Sequence, residues 1–186
     1  MSATPTGFLT REGDRDSVAW RRTFRAPIDD VWAAVTEPDR LARWIGTWTG
    51  DPAEGFVMFA MTAEGEDVEA SRWDVPECEP PHRLRVESVD EWGAWYLTLD
   101  LAEADGVTIL TFSQVVVDAA TIENTAPGWE YYLDRLVRAE TDGDVAAVLW
   151  DDYYPAQREH YIGVAETLDP DVRTRVGPPV GSDEQP

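Results

Sequence analysis

Lysine is absent from this chain of 186 residues, and its 15 basic side chains, all arginine, face 37 acidic ones for a formal charge of −22. Such a balance repels nucleic acid phosphates and anionic membrane surfaces, since binding to either rests mainly on cationic contacts. Neither is an expected partner. One cysteine, Cys78, excludes an internal disulfide, and two histidines, His82 and His160, give no paired ligands for a metal. There is no apolar run of about 18 residues and no basic segment followed by a hydrophobic one, so neither membrane insertion nor export is expected. The expected location is a reducing cytoplasm. No cofactor motif and no internal repeat is present.

What the chain does hold is apolar and aromatic: 43% hydrophobic residues and nine tryptophans mark a packed domain rather than a disordered acidic chain. Residues 1–16 are small, polar and interrupted by Gly and Pro, and read as a flexible lead-in. The domain is expected over 17–163, and the Pro/Gly-rich stretch 164–186 reads as a disordered tail. Val18 to Arg25 alternates as a strand. Pro27 then opens a short helix on which Ile28, Val31, Trp32 and Val35 form one stripe. Thr36 and Asp39 have capping-box spacing and predict a second short helix carrying Leu41, Trp44 and Ile45.

From Gly55 to Asp118 the apolar period moves towards two. Five strands fit: Phe56 to Thr62, Val68 to Cys78 with an irregularity at Pro76, Arg83 to Val89, Trp92 to Ala102, and Val107 to Val117. Asp105-Gly106 supplies the positive φ of a tight hairpin between the last two. Phase then places Trp95, Leu97, Leu99 and Leu101 on one face, and Leu110, Phe112 and Gln114 on a face of the partner strand. A stripe of Trp129, Tyr132, Leu133, Leu136 and Val137 predicts a helix from Pro127 to Arg138, with Glu130, Asp134, Arg135 and Arg138 outside. A further short helix is expected within 145–162. The fold class is α+β: a curved antiparallel sheet of about six strands around a long C-terminal helix, with two short helices after the first strand.

Four stretches in this order, FRAPIDDVWAAVTEPDRLARWIG, CEPPHRL, LTLDLAEADGVTILTFSQ and PGWEYYLDRL, resemble the START-like (SRPBCC) superfamily. Within it they are most similar to the branch named after activators of the heat-shock-protein-90 ATPase. The resemblance covers about Val18 to Val137. It implies a helix-grip fold with a largely apolar cavity between sheet and helix, used across the superfamily for hydrophobic molecules. It also implies that a histidine often stands where Gln114 stands here.

The functional expectation is therefore binding of a small hydrophobic or aromatic molecule in that cavity. Its candidate lining is Trp95, Leu97, Leu99, Leu110, Phe112, Gln114, Trp129, Tyr132, Leu133 and Leu136. Gln114 is a polar group in an apolar row and needs hydrogen-bond partners or a ligand. Trp48, Trp73 and Trp92 add to an aromatic set that serves either as core or as lining. Arg43, Arg72 and Arg85 are candidate anchors for an acidic or carbonyl-bearing ligand, or surface partners of carboxylates. No catalytic residue is assigned, and Cys78 reads as a small buried hydrophobe. A cyclase-like or aromatase-like enzyme is the alternative, needing two titratable groups on one cavity, for which Glu69, Asp100 and His82 are available only with shifted strand phases. A protein-interaction role follows the branch name, although about 17 residues before the first strand leave little room for the extra N-terminal domain the resemblance implies for such activators. Monomer or homodimer is left open.

Overall fold

The computed structural model describes residues 3–65, 68–90 and 93–173. Eight antiparallel strands form one sheet in the order β1-β2-β8-β7-β6-β5-β4-β3. They are β1 Phe8–Glu12, β2 Arg15–Phe24, β3 Thr47–Thr49, β4 Phe56–Ala60, β5 Ser71–Glu79, β6 Arg83–Asp90, β7 Gly93–Ala104 and β8 Val107–Val115. Helices α1 (Ile28–Thr36) and α2 (Pro38–Leu41) join β2, near one edge, to β3 at the other. After the sheet come α3 (Ala119–Glu140), α4 (Arg158–Glu166) and α5 (Pro170–Arg173). Among the described residues no helix is long and apolar enough to cross a membrane.

The β7–β8 hairpin forms as its sequence requires: Ala104 pairs with Val107 across Asp105 and Gly106, whose φ values are 52° and 74°. Register puts Leu97, Leu99 and Leu101 opposite Gln114, Phe112 and Leu110, all buried under the helices. The irregularity expected at Pro76 is a register shift between Asp74 and Glu77.

Several expectations are corrected. The sheet has eight strands, not six, because β1 and β3 are short edge strands without an alternating pattern long enough to read. β1 lies inside the expected lead-in 1–16 and pairs with β2 from Phe8↔Ala19 to Glu12↔Arg15. Within the expected tail, residues 164–173 include the end of α4 and all of α5; 174–186, like Trp92, lie outside the described residues. Thr36 does not cap α2. Its hydroxyl donates to the Trp32 carbonyl inside α1, while Pro38 opens α2 without a side-chain cap.

Helix α3 begins at Ala119, eight residues before Pro127, and is capped by Asp118, whose side chain accepts from Thr121 N. Ile122 and Ala126 extend the stripe of Trp129, Leu133 and Leu136 at steps of four and three, so one apolar seam runs the length of the helix. Glu130 is not outside but 1% exposed, because the N-terminal segment and α4 cover that flank. Cys78 is exposed rather than buried, near the end of β5.

Candidate functional site

Of the strands, β2 lies nearest α3, α1 lies over β7 and β8, and α2 stands beside β3 at the far edge. Among the described residues no helix approaches β4, β5 or β6 as closely as these do. Following the register outward from Leu97, the same face carries Val86 and Leu84 of β6, Trp73 of β5, Phe59 of β4 and Trp48 of β3. All five pack against the core and stay only partly buried. This partly covered apolar face is bordered by α3 on one side and by the α2–β3 turn on the other.

The inner end of this face is aromatic. Trp129 of α3 packs against Phe112 with ring centres 4.5 Å apart and meets Trp95 and Tyr132 edge-on, each at 6.4 Å. Farther out, Phe59 and Trp73 meet edge to face at 5.9 Å. Gln114 sits beneath Trp129, 1% exposed. Its Oε1 accepts from Trp129 Nε1 at 2.8 Å and from Thr125 Oγ1 at 2.9 Å. An indole N–H only donates, so the carbonyl must face Trp129 and the amide Nε2 must point away. No hydrogen bond from Nε2 is found among the described residues, although it is not among the fully buried atoms left unpaired.

Of the expected lining residues, Trp95 alone is partly exposed. Phe112, Gln114, Trp129 and Tyr132 come together beside it, with Leu97 and Leu99 on the same face, and all six are buried. Leu110, Leu133 and Leu136 are packed in the same core, each 2% exposed or less. Sequence reasoning did not select Phe59, Leu84 and Val86, although alternation in β4 and β6 carries the signal once the strands are in register.

The three candidate anchors are occupied elsewhere. Arg43 pairs with Glu140 and donates to the Ala139 carbonyl; Arg72 pairs with Asp74 at 2.7 Å and lies over the Phe56 ring; Arg85 sits between Glu77 and Glu87. Glu69 and His82 are exposed, and Asp100 is held by Arg83 at 2.8 Å on the outer face. Burial raises the Asp100 pKa, more than the Arg83 charge lowers it. Among the described residues no three His, Cys, Asp or Glu side chains are grouped to hold a metal.

A polar centre lies across α3, on the flank facing β1, β2 and α4. Glu130 accepts from Thr6 N, Gly7 N at 2.9 Å, Tyr161 Oη at 2.6 Å and Arg22 Nη2 at 2.8 Å. Tyr161 in turn accepts from Trp20 Nε1 at 2.9 Å, and Asp134 takes Arg22 Nε and the Tyr153 hydroxyl. Burial would raise the Glu130 pKa, but the bonds from Tyr161, Thr6 and Arg22 outweigh it and hold the carboxyl below its ordinary value. Burial and the Glu130 charge push the Tyr161 phenol up, and burial with Asp134 does the same to Tyr153. This centre ties β1, β2, α3 and α4 together.

The model of the family described as Activator of Hsp90 ATPase homolog 1-like protein matches residues 25–139. The chain belongs to that family. Its fold is shared with the crystal structure of CalU16 from Micromonospora echinospora, at 24% identity over 89% of this chain and 100% of that one, TM-score 0.67. EF2215 from Enterococcus faecalis, a conserved protein of unknown function, aligns at 19% identity over 88% and 92% of the two chains, TM-score 0.64. DynU16, a protein in the dynemicin biosynthetic locus, aligns at 22% identity over 69% of this chain and 49% of its own, TM-score 0.51. No curated protein matches. This family member is therefore a START-like α+β domain with its sheet wrapped against the long helix α3.

Proposed function

We infer that this protein binds a small hydrophobic, aromatic molecule in the cleft between the concave face of β4–β7 and helix α3. The observation that carries the reading is the half-covered row Trp48, Phe59, Trp73, Leu84, Val86 and Trp95, which ends on the unused Gln114 amide. Partly covered aromatic faces gain by enclosing a planar guest, and one free amide donor gives it an orientation. A carbonyl or hydroxyl oxygen on the guest suits Nε2. The place of DynU16 in a biosynthetic locus agrees with small-molecule binding by this fold.

Titration with the neutral fluorophore N-phenyl-1-naphthylamine tests the reading. One site per chain is expected, with affinity falling about tenfold or more in Val86→Trp, where a larger side chain fills the cleft floor. Equal binding by both proteins would contradict it.

A further inference from the structure

We propose that the outer flank of α3 is a self-association surface, on which Leu149 and Trp150 of two copies of this chain pack together about a two-fold axis. The inference is independent of the cleft.

The segment that follows α3 turns two large apolar side chains outward. Leu149 is 58% exposed and Trp150 43%, and among the exposed large apolar residues described these two stand next to each other in the chain. The indole is held in place. Its ring lies 3.6 Å from where a Cβ on Gly128 would be, meets Tyr131 edge-on at 5.2 Å and has Tyr154 beside it at 5.9 Å. Tyr131 and Tyr154 are themselves only partly buried. A tryptophan fixed against a helix on one side and open on the other offers apolar area with little side-chain entropy left to lose. Tryptophan, tyrosine and arginine are also the residues that dominate the centres of protein contacts.

Charge selects the occupant. At −22 the chain repels a copy of itself over most of its surface, so a contact between copies needs a place where opposite charges can meet. This flank has one unpaired charge of each sign. The Arg135 guanidinium lies 5.2 Å from the centre of the Tyr131 ring, with Nε donating to the Trp44 carbonyl at 2.8 Å and Nη1 to the Tyr131 hydroxyl at 3.0 Å. Among the described residues no carboxylate lies within ion-pairing distance of it, whereas Arg22, Arg40, Arg83, Arg85 and Arg158 each have one. Asp151 follows Trp150, is exposed and has no ion-pair partner among the described residues. A two-fold axis through the patch sets Arg135 of each copy towards Asp151 of the other, the self-complementarity that an isologous contact requires. A uniformly basic partner would be opposed by Arg135, and a uniformly acidic one by Asp151. The exposed apolar area is small, which predicts a weak dimer with a Kd on the order of tens of micromolar.

Sedimentation equilibrium in 150 mM NaCl tests this, with the chain loaded from 1 to 300 µM. The weight-average mass is expected to climb from the monomer value of 20.8 kDa towards twice that. Leu149→Asp, at an exposed position, should weaken association at least about tenfold. Arg135→Asp and Asp151→Arg should each do the same by placing like charges together, and the double exchange should return the Kd to within about threefold of wild type. Near-ultraviolet circular dichroism checks that each variant is folded. If Arg135→Asp does not fold, Leu149→Asp and Asp151→Arg decide: wild-type association by either overturns the proposal. A wild type that stays monomeric at 300 µM overturns it too, and leaves this flank to a different protein.

Discussion

Glu130 shows how far a single side chain can depart from its helical-wheel position. On the wheel it falls beside the apolar seam of α3, and an acidic residue there reads as solvated. Its burial comes from Tyr161 and from Thr6 and Gly7, more than 30 and 120 residues away in sequence, which no local pattern reports. Removing one partner of a buried, charged network leaves the others unpaired, so Glu130→Ala should destabilise the protein by about 3 kcal/mol in urea unfolding. The pH dependence has a definite sign. The folded Glu130 pKa is below its ordinary 4.5, so its contribution is present above that value and is lost as pH falls through the folded pKa. The Tyr161 pKa is raised, so its contribution is full below the ordinary 10.0 and declines once pH climbs past it. A urea series between pH 2 and 7 should show a shallower acid slope in Glu130→Gln than in the wild type.

Among the elements, those with a continuous pattern were legible and those defined by neighbours were not. The β7–β8 hairpin could be read because Asp105-Gly106 fixes the turn and alternation fixes the phase. The start of α3 could not, because Pro127 looks like a first-turn residue even though Ile122 and Ala126 continue the seam before it. Strand β3 has only three residues and exists because β4 pairs with it. The turn before β3 depends on Gly46, where a Cβ would lie 2.1 Å from the Ala60 carbonyl oxygen. Gly46→Ala must push this wall off β4. Its expected outcome is a lower Tm together with weaker binding of N-phenyl-1-naphthylamine, since the same wall borders the proposed cleft. Gly106→Ala should separate the two effects: positive φ makes it destabilising by about 1 kcal/mol, while the turn is at the opposite end of β7 from Trp95, so probe affinity should hold.

For the whole molecule, composition gave the sign of the surface and the resemblance gave the architecture with a cavity between sheet and helix, but neither singled out the half-covered row on β3–β6. That required the sheet order, since only with β3–β6 extending beyond α3 does a row of ordinary core-type residues become a half-covered face. The candidate arginines show the same limit: charge counting cannot tell that Arg43, Arg72 and Arg85 are paired while Arg135 is not. A formal charge of −22 also bears on stability, because self-repulsion weakens as salt screens it. Raising NaCl from 20 to 300 mM should raise Tm by a few degrees, equivalent to roughly 1 kcal/mol in a chain this long.

The most direct test uses the tryptophans already present. In 1H–15N spectra of the indole N–H groups, saturating N-phenyl-1-naphthylamine should shift the signals of Trp48, Trp73, Trp95 and Trp129 and leave those of Trp20, buried beside Tyr161, and Trp150, outside the cleft, in place. Shifts confined to Trp20 and Trp150, or no shift at all, would contradict a guest site between the sheet and α3.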